Sequence, residues 1–224
     1  MTDTTASFLS QYGTLLGQGT LDTLAMLLLS TALAYVIGLA LGVVLYVTAP
    51  GGLRPRRMLN AVLGWVVNMA RSIPFIILIV SVIPVTKAIA GTTVGVRGVI
   101  FPLVLSSAPF VARMVEQSLA EVPHDSIEAA EACGASIPRI VVSALLPEAL
   151  PSIVRGISIT LIAVLGYTAI AGAVGAGGLG DIAIRYGYYR YQMEVIIFIV
   201  AILVLLVILI QGIGNRLARK LDKR

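Results

Sequence analysis

The chain has 224 residues, 58% of them hydrophobic and 12% charged, with a net charge of +5. Soluble domains carry about 25% charged residues, so this composition excludes a sizeable soluble domain and describes a polytopic, all-α membrane protein. The lysines and arginines sit beside apolar runs, the positive-inside pattern, which argues against nucleic acid as a partner.

Residues 1–20 lack both a basic leader and an apolar core, so no cleavable signal is expected there. The first span is predicted over residues 21–47, which at about 1.5 Å per residue exceeds a hydrocarbon core of about 30 Å. Gly38 and Gly42 within it have the G-x-x-x-G spacing that permits close helix contact. Pro50, Gly51 and Gly52 end the span, and Arg54, Arg56 and Arg57 place the following loop in the cytoplasm.

The second span is predicted over residues 58–83, with a kink near Pro74 because neither half alone is long enough to cross. It contains Arg71, which is either an intramembrane arginine with a function or one near an interface that snorkels. Residues 84–98 read as a short loop, and residues 99–115 as a third span bent by Pro102 and Pro109. A fourth span is predicted over 153–170 and a fifth over 193–213, followed by a basic tail at 214–224. Between the last two spans Gly175, Gly177 and Gly180 spell G-x-G-x-x-G. No βαβ unit surrounds them, so they read as tight turns and close packing, not as a dinucleotide site. Tyr186, Tyr188, Tyr189 and Tyr191 fit an interfacial aromatic belt.

Arg54, Arg56, Arg57, Arg113, Arg139, Arg155 and the tail cations fall on one side of this layout; Lys87, Arg97, Arg185 and Arg190 fall on the other. The bias predicts five spans, the N-terminus outside and the C-terminus in the cytoplasm.

Residues 123–151 stand apart. Six of the chain's eleven acids lie between Glu116 and Glu148. An acid at mid-bilayer costs about 2.5–3.5 kcal/mol, so the stretch belongs at a surface between spans. Two short helices are predicted. The first is opened by Pro123 and a capping box of Asp125 with Glu128, and stopped by Gly134. The second is capped by Ser136, with Pro138 in its first turn, and is interrupted by Pro147; Pro151 marks a further break. The plain reading is an elbow lying on the membrane. The sharper one is a docking element, because Ala129, Ala130, Ala132, Gly134 and Ala135 let a surface approach while Glu128, Glu131 and Arg139 offer charge.

Glu128-Ala129-Ala130, three residues, Gly134 and then Leu146-Pro147 resemble the EAA motif of ABC importer permeases, with Ala144 where the pattern has isoleucine. The runs RSIPFIIL from Arg71, APFVARMVE from Ala108, LLPEALP from Leu145 and GAVGAGGLG from Gly172 are similar to methionine-type permeases of that family. The resemblance implies a type I ABC importer permease fold, with a transmembrane type-1 domain over 21–213. It implies ATPase coupling through Glu128, Ala129, Ala130, Gly134, Leu146 and Pro147. It implies a homodimer, two separate ATPase chains that hold the ATP and Mg, an external binding lipoprotein, and methionine as cargo. Arg71, Ala169, Ile170 and Gly172 are candidates for the path or gate, since small residues beside Ile170 would let two copies close an apolar constriction.

The alternatives are an ABC permease for another small solute, an ion-coupled transporter or channel, and a membrane-embedded enzyme. The ion-driven class calls for buried acids within spans, and Asp22 and Glu194 sit at edges. The chain offers an enzyme no nucleophile–base pair, no G-K-[ST] phosphate loop, one histidine (His124) without metal-ligating partners, and one cysteine (Cys133) that excludes an intrachain disulfide. No cofactor or metal is expected on this chain, and its remaining partner is membrane lipid.

Overall fold

The computed structural model describes residues 2–222, with side chains from Ser10 onward. Residue 1 of the expected N-terminal segment, and Lys223 and Arg224 of the expected basic tail, lie outside the described residues. The described chain is helical, with no strand. In order it forms α1 (Thr2–Thr48), α2 (Arg57–Ser72), α3 (Phe75–Ser81), α4 (Ile83–Ala90), α5 (Gly95–Ala120), α6 (His124–Ala132), α7 (Ile137–Ile140), α8 (Leu146–Gly172), α9 (Gly178–Ile182) and α10 (Met193–Leu221). Four helical stretches are long and apolar enough to cross a membrane, and five if α2 and α3 count as one broken span.

The broken pair has a local cause. Pro74 excludes the helical region for the residue before it; Ile73 is extended (φ −82°, ψ 120°) and α3 restarts behind Pro74. The expected loop at 84–98 holds a helix instead. Pro84 sits in the first turn of α4, and left-handed Gly91 ends it by donating to the Lys87 carbonyl. Pro102 and Pro109 both lie inside α5.

Pro147 and Pro151 do not break the chain, contrary to the sequence expectation. Residues 137–172 form one helical stretch. A π-helical turn at Val141–Leu145 joins α7 to α8, with the Leu146 amide donating to the Val141 carbonyl. The wider turn precedes Pro147, whose ring would otherwise meet the carbonyl four residues back and which has no amide to offer it.

The chain divides into two compact units. One takes in the chain up to Thr31, Pro74–Val104 and Leu161–Leu209. Its core gathers Leu16, Leu179, Ile182, Val195 and Ile199. Phe75 stacks on Tyr167 with centroids 4.9 Å apart, and the Leu179 amide donates to the Thr23 hydroxyl at 2.9 Å. A Cβ at Gly172 would overlap the backbone of Gly180 and Asp181, and one at Gly180 the backbone of Ala169, so these glycines bring two chain segments into backbone contact.

The other unit takes in Ala32–Ile73, Leu105–Thr160 and the chain from Ile210 on. Its core runs from Ala34 on α1 through Val111, Val115 and Leu119 on α5 to Ile127, Ile140, Leu145 and Ile153. The G-x-x-x-G pair acts as expected: a Cβ at Gly38 would strike Val111, and one at Gly42 would strike Val115 and the Ala112 carbonyl.

Candidate functional site

Helix α6 begins behind Pro123, and no side chain caps it. The expected box of Asp125 with Glu128 is therefore absent. Asp125 stands in the first turn, where it still favours the helix dipole, and His124 Nε2 lies 3.7 Å from Glu128 Oε1. The helix ends as expected at Gly134, with φ +71°. The Gly134 amide donates to the Glu131 carbonyl at 2.8 Å and the Ala135 amide to the Ala130 carbonyl at 3.1 Å. This double closure is the Schellman arrangement, which needs a left-handed residue where Gly134 stands. Ser136 occupies the next N-cap position in extended conformation, though its hydroxyl makes no capping bond, and Pro138 falls in the first turn.

The elbow rests on a greasy base. Ile127, Ile140, Val141 and Leu145 are buried in the core shared with α5 and α8, and Ala130, Ala135, Ala144 and Leu146 pack at its margin. Burying side chains of this kind is worth about 1.5–3 kcal/mol each, so the elbow is held by its underside. Its upper face is bare. Glu128, Ala129, Glu131, Ala132, Cys133, Gly134, Pro138 and Arg139 are all exposed, and nothing lies within 4 Å of where a Cβ on Gly134 would sit.

Polar contacts tie the elbow to the helices beside it. Ser126 donates to Glu148 at 2.6 Å, and a chain runs from the Ser118 hydroxyl to Ser152 (3.0 Å) and on to Glu121 (3.0 Å). These groups line a cavity of about 560 Å³, which Arg155, Leu221 and Asp222 also border. Sequence reading missed this set, because Ser126 and Glu148 share no helical spacing. The pairs Arg113–Glu116 (2.6 Å) and Asp181–Arg185 were missed too, though their spacings of three and four carried the signal. Arg113 also donates to the Gly64 carbonyl at 3.2 Å.

Six EAA positions thus share one unit. Glu128, Ala129, Gly134 and Pro147 are exposed, while Ala130 and Leu146 are half-buried. Arg71 belongs to the same unit, exposed in the last turn of α2 with its guanidinium 5.9 Å from the centre of the Phe110 ring. Ala169, Ile170 and Gly172 belong to the other unit, where Ile170 is 41% exposed and Gly172 is buried against Gly180. Among the described residues no group of three His, Cys, Asp or Glu side chains is placed to hold a metal.

The described chain is thus a set of membrane-length helices with one short, charged, glycine-capped elbow. The chain belongs to the family of binding-protein-dependent transport system inner membrane components, whose sequence pattern matches residues 34–224. It is 45% identical over 222 residues to the probable D-methionine transport system permease protein MetI of Vibrio cholerae, covering 99% of each chain. It is 49% identical over 158 residues to the D-methionine transport system permease protein MetI of Escherichia coli K12, covering 70% of this chain and 73% of that one. Among solved structures it matches an inward-facing conformation of the MetNI methionine ABC transporter with a TM-score of 0.94 at 47% identity, covering 95% of this chain and 99% of that one. The fold is that of a type I ABC importer permease, as the EAA resemblance implied. An amino acid ABC transporter at 18% identity and a TM-score of 0.77 shares the fold alone.

Proposed function

We propose that this chain is the permease of a methionine importer, carrying D-methionine, L-methionine or a close derivative. The observation that carries the reading is the likeness, over 99% of both chains, to the probable D-methionine permease of Vibrio cholerae. Two copies form the path. Each docks one separate ATPase chain, which holds ATP and Mg, on its α6–α7 elbow, and an external binding lipoprotein delivers the cargo. The N-terminus lies outside and the C-terminus in the cytoplasm, so the elbow faces the ATPase.

The elbow supports this role because its two faces differ. A buried underside of Ile127, Ile140 and Leu145 makes it move with α5 and α8 rather than slide over them. An upper face of small and acidic residues leaves room for a partner's groove. Closure of the ATPases on ATP pulls the elbow, and α5 and α8 carry the displacement toward the path. Ala169, Ile170 and Gly172 form part of an external gate in which the exposed Ile170 meets its copy, and Arg71 lies along the path.

The test is uptake of labelled methionine by vesicles holding the permease, its ATPase and its binding protein. Uptake that needs ATP and is outcompeted by unlabelled methionine, but not by unrelated amino acids, supports the reading. ATP-driven uptake of a different solute in preference to methionine would move the chain to another permease of the same family. Uptake driven by an ion gradient without ATP would replace the class.

A further inference from the structure

On the exposed side of α2 the apolar residues Met58 (84% exposed), Val62 (53%), Trp65 (64%) and Met69 (47%) are spaced four, three and four apart and so share one face. The buried residues of the same helix, Gly64 and Val67, lie on the opposite face, against the chain's own core. The exposed face is therefore turned away from the unit to which α2 belongs. At its head Arg56 and Arg57 adjoin Met58, Leu59 and Val62 on one open stretch of surface, with Arg54 exposed beside them. The first turn of α2 holds no acid, and among the described residues none of the three arginines is paired with a carboxylate. We propose that this face binds an anionic phospholipid, its phosphate held by Arg56 and Arg57 and its acyl chain laid along Met58, Val62 and Trp65.

Charge decides the occupant. A zwitterionic lipid would cover the apolar stripe but leave the guanidinium cluster without a counter-charge, whereas a lipid with net negative charge meets both the stripe and the cations at its head. Guanidinium matches phosphate by paired N–H donors. A second copy of the chain is the poorer fit, because a two-fold contact sets the same patch against itself and would bring like charges together.

Trp65 is the chain's single tryptophan, which makes the face self-reporting. The full chain is reconstituted in vesicles in which either phosphatidylglycerol or phosphatidylcholine carries bromine part-way down its acyl chains, and quenching of Trp65 is measured as the brominated fraction rises. Brominated phosphatidylglycerol should quench at lower fractions than brominated phosphatidylcholine, with a preference of about fivefold for each arginine engaged. High salt should weaken that preference. Arg56→Gln with Arg57→Gln should bring the two lipids to parity while phosphatidylcholine still quenches, and Arg56→Lys with Arg57→Lys should keep part of the preference. Equal quenching of the unaltered chain by both lipids overturns the proposal. Absence of quenching by either shows the face covered by protein and overturns it equally.

Discussion

Helices α6 and α8 end in the same way and for opposite purposes. At the end of α6 the amides of Gly134 and Ala135 close back on Glu131 and Ala130; at the end of α8 the amides of Gly175 and Ala176 close back on Gly172 and Ala171. Gly134 and Gly175 both have positive φ. Around the α8 turn the small residues press against the chain itself: Ala171 and Ala176 are fully buried, and Gly172 meets Gly180 backbone to backbone. Around the α6 turn Ala130 and Ala135 pack at the core's margin, but Ala129, Ala132 and Gly134 stand exposed with nothing of the chain opposite Gly134. Small residues kept for the chain's own packing and small residues kept for another surface look alike in sequence; what lies opposite separates them.

Substitutions sharpen that contrast. The largest effect belongs to Gly180→Val, which would drive a side chain into the Ala169 backbone. Backbone cannot repack around an inserted group as a side chain can, so the overpacking cost here exceeds the usual one, and this variant should vanish from the membrane fraction or elute as aggregate in size-exclusion chromatography. Next comes Leu145→Ala, which hollows the base of the elbow; it should lower stability by about 2–5 kcal/mol, read as a drop in the melting midpoint, with ATPase association weakened in step. If Leu145→Ala melts normally, the elbow is not anchored through its underside. A smaller structural effect follows from Gly134→Val, where a left-handed residue other than glycine costs about 1–2 kcal/mol. The protein should still accumulate and dimerise, yet lose coupling. The smallest change in stability belongs to Glu128→Lys, within about 0.5 kcal/mol as for other exposed sites, and its signature should be loss of ATP-driven uptake alone. In the other unit, cysteine at Ile170 should crosslink between copies in a way that depends on nucleotide; no crosslink in any state removes Ile170 from the gate.

Much of this was legible in the residues. Apolar runs locate the long helices because lipid admits little else, and Gly134, Ser136 and Pro138 fall where their backbone preferences place them. Other features were hidden for physical reasons. Pro147 and Pro151 read as breaks, but a π-helical turn before Pro147 absorbs its missing amide, which nothing in the local residues announces, and α8 runs on through Pro151. Helix α4 was hidden by its brevity and by Lys87 and Thr86, which gave the segment a loop's polarity. The capping box failed because Pro123 already starts α6, leaving Asp125 inside the first turn. At the elbow, the EAA spacing is legible along the chain, whereas Ser126, Glu148, Ser118 and Ser152 meet only through the tertiary fold.

The most direct test of the elbow's role compares Gly134→Val with the unaltered permease in one vesicle preparation, measuring ATPase retained by the permease and ATP-driven methionine uptake together. The account predicts full membrane insertion, with ATPase association and uptake falling together. Normal association with normal uptake in that variant would make the α6–α7 elbow a passive turn and contradict the account.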